Sequence, residues 1–456
     1  MKNKIILWAL SLILLATSCQ KDPELTSAVK LTVDISVKSD ENLNIPAKDA
    51  VVTISNKTNG ASYQATIQEN GQAIFESITP GTYTINSTLT VPAAQYTELA
   101  GYYVEDDVNF SGSNDNIEVF EDRSLALELQ AGKTGNWVFK QIYYAGSNAS
   151  TGAVNRDVFV EIYNNSNQIL YADSLYFGQV IGKNNNRAGE FYLENNQYDW
   201  SKALNMTVDN GKDANKNYVY AHTIFRIPSD GTGKKYPVEP GSSIIIAATA
   251  VDHTNSYESN TTDRPVTVTN PELTINLNNA EFEVNLVEFL RPTDGSAYTP
   301  FRTDVDNVNV PNVDVVHVSA GRDLVLNALG RDAYFIADVR STNVNIEALK
   351  DYATPDDREI TAETSVYKQV PIEVIIDAVE LQHPVAASRV PKRLQTILDA
   401  GRAFVPGGQY SSQSLVRKTL KTVNGRRILK DTNNSEVDFG YLEKADPSKS
   451  ASSFID

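Results

Sequence analysis

The feature that most limits this chain's fold is a two-residue alternation of apolar and polar side chains, repeated in short runs. Val29, Leu31, Val33, Ile35 and Val37 alternate with Lys30, Thr32, Asp34 and Ser36. Successive side chains of a strand point to opposite faces, so this spacing predicts a half-buried β-strand. Val51-Val52-Thr53-Ile54 predicts a second strand, and Tyr63, Ala65 and Ile67 a third. Ala73-Ile74-Phe75, Ile78 to Ile85, and Leu125, Leu127 and Leu129 predict three more. Glu69-Asn70-Gly71 and Pro80-Gly81 read as turns, because Pro presets φ and Gly accepts a positive φ. Trp137-Val138-Phe139, Ile142-Tyr143-Tyr144 and residues 158–165, 244–247, 315–318, 334–337 and 374–379 continue the strand pattern. Asn-, Gly-, Asp- and Pro-rich loops separate them. One segment differs. From Pro391 to Phe404, Leu394, Ile397 and Leu398 recur at helical spacing, which predicts one short helix. The expected class is all-β. Cys19 is the chain's single cysteine, so no disulfide braces it and packed cores must hold it together.

The N-terminus reads separately. Lys2 and Lys4 precede an apolar run of 11 residues, Ile5 to Leu15, followed by Ala16-Thr17-Ser18-Cys19. A membrane-spanning helix needs about 20 apolar residues. The order of charge, apolar run and small residues instead suits a signal peptide over residues 1–18. Ala-Thr-Ser-Cys resembles the bacterial lipobox, which implies lipid attachment at Cys19, with Ala16 in place of the usual leucine. Several acyl chains on one residue give stable anchoring, each buried methylene contributing about 0.8 kcal/mol. Gln20, Lys21, Asp22 and Glu24, with Pro23 interrupting them, resemble the export tag of surface-exposed Bacteroidota lipoproteins. The resemblance implies an outer-membrane protein, lipid-anchored and facing the cell exterior, with residues 19–28 as its tether. Loss of Lys2 and Lys4 takes the formal charge from −17 to −19. So acidic a protein is repelled by nucleic acid, which is excluded as a partner.

Within residues 29–131, Gly71-Gln72-Ala73-Ile74-Phe75 and Ile78-Thr79-Pro80-Gly81-Thr82-Tyr83 resemble the prealbumin-like, carboxypeptidase-regulatory-like β-sandwich family. Such modules are spacers or binding modules, which implies no catalysis here. Asp106-Asp107, Asp115 and Glu118 read as a solvated acidic loop in preference to a calcium site. Within residues 134–456, Phe159 to Asn164, Val238 to Ala247, Ile376-Asp377-Ala378-Val379 and the closing stretch Ser414 to Arg417 with Asp431 to Phe439 resemble the lamin-tail, immunoglobulin-like sandwich. This implies two β-sandwich domains, the second enlarged by insertions expected at 178–217, 253–271, 291–311 and 351–363. Long loops of this kind are where ligand contacts concentrate. The whole resembles uncharacterised Bacteroidota surface lipoproteins. Arg417 is expected to pair with Asp438 or Glu161 in a structural role.

The chemistry-bearing residues are sparse. His222, His253, His317 and His383 lie far apart, without zinc spacing. His317, inside an apolar run, reads as a sheet residue. Asp304, Asp306 and Asn309 offer oxygens for calcium but lack the glycine and terminal glutamate of an EF-hand loop. No other cofactor is expected. Asp173-Ser174-Leu175 resembles a Bacteroidota O-glycosylation motif, making Ser174 the candidate acceptor. Trp137 reads as core, and Trp200, in a polar stretch, as the candidate for stacking on a ligand.

The expected function is non-enzymatic. The chain captures a small-molecule or glycan ligand or, on family analogy alone, docks on an outer-membrane transporter of the TonB-dependent type. The alternatives are a surface hydrolase of glycan or protein with carboxylates in the insertions, and an adhesin or structural coat protein. The anchor is testable in cells. Cys19→Ala is expected to leave the membrane fraction, and protease applied to intact cells to cut the wild type. A membrane-bound variant, or an uncut wild type, would overturn the corresponding step.

Overall fold

A computed structural model describes residues 27–39, 43–68, 70–100, 107–131, 136–148, 150–153, 156–260, 264–356 and 358–456. Cys19, the tag residues Gln20, Lys21, Asp22 and Glu24, and Asp106 lie outside the described residues. The fold is all-β.

Seven strands form the N-terminal sheet: β1 (Val29–Lys38), β2 (Val51–Asn56), β3 (Ser62–Thr66), β4 (Gln72–Ile78), β5 (Gly81–Val91), β6 (Val108–Val119) and β7 (Arg123–Ala131). Their order is β3-β2-β5-β6-β7-β1-β4, with β1 parallel to β7 and antiparallel to β4. The alternation of β1 is realised: Val29, Leu31, Val33 and Ile35 are buried while their polar neighbours are not. With Ile54, Phe75, Ile85, Phe110 and Leu129 they share one core. A helix, α1 (Ala93–Ala100), follows β5, and the Asp107 carboxylate accepts the Ala93 N–H at 2.9 Å. The Pro80-Gly81 expectation needs correction. Gly81 opens β5 and is absent from the positive-φ glycines; it is needed because a Cβ there would lie 2.6 Å from Asn56 Nδ2. Gly71 does take the positive φ, at +81°.

The rest of the chain supplies β8 (Trp137–Tyr143), β9 (Phe159–Asn164), β10 (Leu170–Tyr171), β11 (Tyr176–Val180), β12 (Tyr218–Arg226), β13 (Pro237–Val238), β14 (Ser243–Ala247) and β15 (Phe282–Glu283). Then follow β16 (Asp314–Val318), β17 (Ala333–Ala337), β18 (Asp351–Tyr352), β19 (Tyr367–Pro371), β20 (Ile375–Glu380), β21 (Ser414–Arg417), β22 (Thr419–Val423), β23 (Arg426–Leu429) and β24 (Phe439–Leu442). One sheet runs β15-β14-β9-β8-β21-β24. The other runs β18-β19-β12-β11-β17-β20, with β16 added on β12. Phe139, Val160, Ile162, Ile246 and Leu415 of the first sheet share a core with Phe177, Phe225, Ile336 and Val379 of the second. Strands β8, β9, β14 and β17 are buried along their whole length, so they show no two-residue alternation.

The helix expected between Pro391 and Phe404 does not form. Leu394 and Leu398 are buried, but as an irregular strap over the outer face of the second sheet, against Val219, Phe335 and Ile375. The Arg393 and Leu394 N–H groups donate to the Glu380 carboxylate at 3.0–3.1 Å, and the Glu380 N–H to Asp399 at 2.7 Å. Tertiary hydrogen bonds have taken the donors and acceptors a helix would need. Besides α1, the α-helical segments among the described residues are single turns, α2 (Val287–Leu290) and α3 (Ser435–Asp438), and the remaining helix is short 3-10 turns.

One side chain ties the two sheets together. Arg417 of β21 is buried, its Nη2 lying 2.6 Å from Asp377 of β20 and its Nη1 3.1 Å from Asp431. Nε donates to the Phe139 carbonyl at 2.8 Å, and the Phe139 N–H donates to Asp377 at 2.7 Å. Asp438 stands 3.7 Å from Nη1 and accepts the Thr432 N–H and hydroxyl. Of the two partners expected, Asp438 is in the cluster, whereas Glu161 pairs with Lys140 at 2.9 Å. Burial pushes the Asp377 and Asp438 carboxyls up, with Arg417 opposing, while Arg417 keeps its charge. Arg417→Met would strand three carboxyls, so it is expected to cost about 3–5 kcal/mol. The readout is a lowered urea midpoint, and an unchanged midpoint would contradict the role.

Candidate functional site

The four stretches expected as insertions pack against one another in two pairs among the described residues, with 178–180 belonging to β11 and 351–352 to β18. The stretch after β11 packs on β12 and β18: Trp200 clusters with Tyr218 and Tyr220 of β12 and Tyr352 of β18, and Tyr352 Oη meets Thr207 Oγ1 at 2.8 Å. The 253–271 and 291–311 stretches are sewn together by Tyr257 Oη on the Thr303 carbonyl and Arg302 on the carbonyls of Arg264 and Pro265.

These pairings correct two expectations. Trp200 is 6% exposed, and its ring face is stacked on Tyr220 with centroids 3.7 Å apart and planes at 11°. The face that would meet a ligand is taken. The calcium candidates do not converge either. Asp304 is turned inward, 3.7 Å from Arg156, and accepts the Thr249 hydroxyl; burial pushes its carboxyl up to about 6. Asp306 accepts from Asn312, and Asn309 donates to Asn307. Among the described residues no group of His, Cys, Asp or Glu side chains is placed to hold a metal ion. The histidines serve local structure: His253 is buried on the Thr249 carbonyl, and His317 lies in β16 on the Val366 carbonyl. Trp137 is core, at 2% exposure. Ser174 sits in a turn at φ 60° beside Asp173, whose carboxylate takes the N–H groups of Lys235 and Tyr236.

Asp115 also departs from expectation. It lies within β6, not in a solvated loop, and meets Arg402 from the strap at 3.3 Å and Lys57 at 3.5 Å. Burial would raise its carboxyl, but the two cations and the Thr84 hydroxyl hold it well below the usual carboxylate range. Asn86 Nδ2 reaches Glu436 at 2.7 Å, and Asn109 Nδ2 reaches the Asp431 carbonyl at 2.9 Å. The N-terminal sheet is thus fastened to the larger sandwich by buried polar contacts.

Beside that junction opens a cleft of about 450 Å³. Thr90, Asp107 and Asn109 line it from the N-terminal sheet side. Asn165, Ser166 and Gln168, in the loop after β9, form a second wall. The third is the β22–β23 hairpin, which contributes Lys421, Arg426 and Ile428, with Lys430 just after it. The hairpin turn is Asn424-Gly425, both residues at positive φ (51° and 83°), as a tight two-residue hairpin requires. Asn165 holds the hairpin by a reciprocal pair with Leu429, at 2.8 and 3.1 Å, and Arg426 Nη1 donates to the Asn165 and Ser166 carbonyls. Between Lys418 and Lys430 the chain carries five cations and no acid, in a protein of formal charge −17. Both carboxylates of the cleft are engaged, Asp107 by α1 and Asp431 by Arg417. The walls therefore offer amides, hydroxyls and amines, which suit binding an oxygen-rich ligand. The hairpin lies outside the candidate sites expected from the sequence, although Asn-Gly between alternating runs is a strong hairpin signal.

A family model described as "Protein of unknown function (DUF4876)" matches residues 239–447. No curated protein matches the chain. Among solved structures it is similar to a DUF4876 family protein from Bacteroides thetaiotaomicron, at 24% identity and TM-score 0.47 over 90% of this chain and 94% of that one. It is also similar to a Pseudomonas aeruginosa protein provisionally described as carbohydrate binding, at 15% identity and TM-score 0.18 over 23% of this chain and 89% of that one. A Bacteroides ovatus protein provisionally described as an adhesin gives 10% identity and TM-score 0.17 over 45% and 80%. None of these likenesses assigns a ligand.

The burial of Trp200 is testable in residues 19–456, where the other tryptophan, Trp137, is buried too. Acrylamide is expected to quench the emission only weakly, and Trp200→Ala to cost about 3–5 kcal/mol in chemical denaturation. Strong quenching together with unaltered stability would return Trp200 to an exposed role.

Proposed function

We propose that the chain is a non-enzymatic cell-surface binding protein, lipid-anchored to the outer membrane through Cys19, that captures an acidic glycan in the junction cleft. The observation that carries this reading is the make-up of the cleft walls. Amide and hydroxyl groups from both parts of the fold face the basic hairpin across one concave space, as sugar hydroxyls and an acidic substituent would require. The engaged state of Asp107 and Asp431 favours binding over hydrolysis, which needs two free carboxyls flanking a bond. Delivery to an outer-membrane transporter belongs to the same proposal and rests on the family resemblance.

Calorimetric titration of the intact protein with oligogalacturonate, and with neutral dextran as comparator, tests the reading. The acidic chain is expected to bind with an affinity that falls as salt rises. Lys421→Ala with Lys430→Ala is expected to weaken it by about tenfold or more. Equal binding of dextran, or an unaffected double variant, would sink the proposal for this cleft.

A further inference from the structure

Residues 453–456 run against the first sheet of the larger sandwich and the basic hairpin together. The Thr419 N–H donates to the Ile455 carbonyl at 2.8 Å, and Ile455 pairs in parallel with Lys418. Phe454 packs on Val138 of β8, Tyr163 of β9 and Leu429 of β23, with the Tyr163 ring edge-on at 6.0 Å between centroids. The same ring carries two cations. Lys140 Nζ lies 3.9 Å from its centroid and the Arg427 guanidinium carbon 4.8 Å. The Lys140 side chain is fully buried. An ammonium has three donors, and here they meet Glu161 at 2.9 Å, the Ser453 hydroxyl at 2.8 Å and the Phe454 ring. Two of the three partners therefore come from this one segment. Arg427 Nη1 also lies 3.2 Å from Asp456 Oδ1.

The hairpin needs such a hold. β22 and β23 form a sheet of two strands, and β22 is exposed over most of its length. A two-stranded hairpin is marginally stable by itself. Asn165 and Arg426 tie it to the loop after β9, whereas residues 454–456 grip it at Thr419, Arg427 and Leu429. The grips are unequal. Asp456 is almost fully exposed, so its ion pair with Arg427 contributes little. Phe454 contributes most, through apolar contact and through a ring face that is worth more to a cation stripped of water, as Lys140 is. Charge is sorted at the same time. Arg427 is drawn to Phe454 and Asp456, while Lys421, Arg426 and Lys430 line the cleft.

We propose that residues 453–456 are a latch, fastened by Phe454, that positions the basic hairpin and with it the cationic wall of the junction cleft. Its effect on binding rests on the reading given for that cleft; its hold on the hairpin does not. Hydrogen–deuterium exchange of the intact protein without ligand tests the hold. Phe454→Ala is expected to speed exchange along residues 420–429 by about tenfold or more. Exchange in β11, β17 and β20 should stay as in wild type, which also shows that the variant is folded. Phe454→Tyr keeps the ring and should keep wild-type protection. Phe454→Leu fills the space without a ring face, and faster hairpin exchange is expected there too, which serves if the alanine variant does not fold. Calorimetric titration with oligogalacturonate then tests the link to the cleft: Phe454→Ala is expected to bind about fivefold more weakly and Phe454→Tyr as wild type does. Unchanged hairpin exchange in the alanine and leucine variants, or equal loss of protection in Phe454→Tyr, would overturn the latch. A loosened hairpin with undiminished affinity would overturn its role in positioning the cleft wall. A wild type that binds no oligogalacturonate, with the exchange result as expected, would fail the cleft reading and leave the latch standing.

Discussion

The buried guanidinium of Arg417 is the constraint on which the larger sandwich depends. A cation in a core must be matched by carboxylates and carbonyls, and those partners come from different parts of the chain: Asp377 in β20, Asp431 and Asp438 in the closing stretch, and the Phe139 carbonyl in β8. Satisfying it therefore sets the stagger of one sheet on the other. It also fixes the closing stretch, because Asp438 in turn accepts from Thr432, and Asp399 accepts the Ser435 N–H at 2.8 Å. Apolar packing between the sheets supplies most of the driving force, but it is tolerant of sliding. The ionic cluster is not, since each misplaced partner leaves a buried charge exposed to a low dielectric.

The same closing stretch links that core to the surface. Asp431 binds Arg417 through its side chain while its carbonyl accepts from Asn109 of the N-terminal sheet. Arg402, from the strap, binds Asp115 and Thr84 of that sheet. The cleft lies beside these contacts, so its walls are held by groups that are themselves buried and hydrogen-bonded. That is the preorganisation a binding site needs if ligand affinity is not to be spent on ordering the protein. The basic hairpin is pinned in the same manner through Asn165 and Arg426, leaving Lys421 and Lys430 on a fixed wall.

Much of the framework was legible from the residues. The alternation of β1 and the apolar runs of β9, β14, β17 and β20 predicted strands where strands occur, because burial on one face or two leaves its mark in local composition. The long polar stretches between such runs were legible as loop-rich segments. What failed were inferences that needed a distant partner. The Leu394, Ile397, Leu398 spacing suits a helix, but Glu380 takes the Arg393 and Leu394 N–H groups and holds that segment as an irregular strap. Trp200 sits in polar sequence, yet Tyr220 lies some twenty positions on and covers its face. Asp115 looks solvated until Arg402 is brought to it. Arg417 was placed in the interior by its motif, but Asp377 as its main partner was not visible without the sheet pairing. Of the candidate site, the Asn424-Gly425 hairpin could have been found by its turn chemistry, whereas the cleft exists only once the chain has folded.

In the proposed binding mode, ligand is held between the N-terminal sheet and the basic hairpin of the larger sandwich. Hydrogen–deuterium exchange of the intact protein, with and without saturating oligogalacturonate, tests it most directly. Slowed exchange is expected at once in three separated stretches, around Asn109, in the loop from Asn165 to Gln168, and along the hairpin from Leu420 to Lys430. Protection confined to the insertions, or no change at the hairpin, would contradict the account.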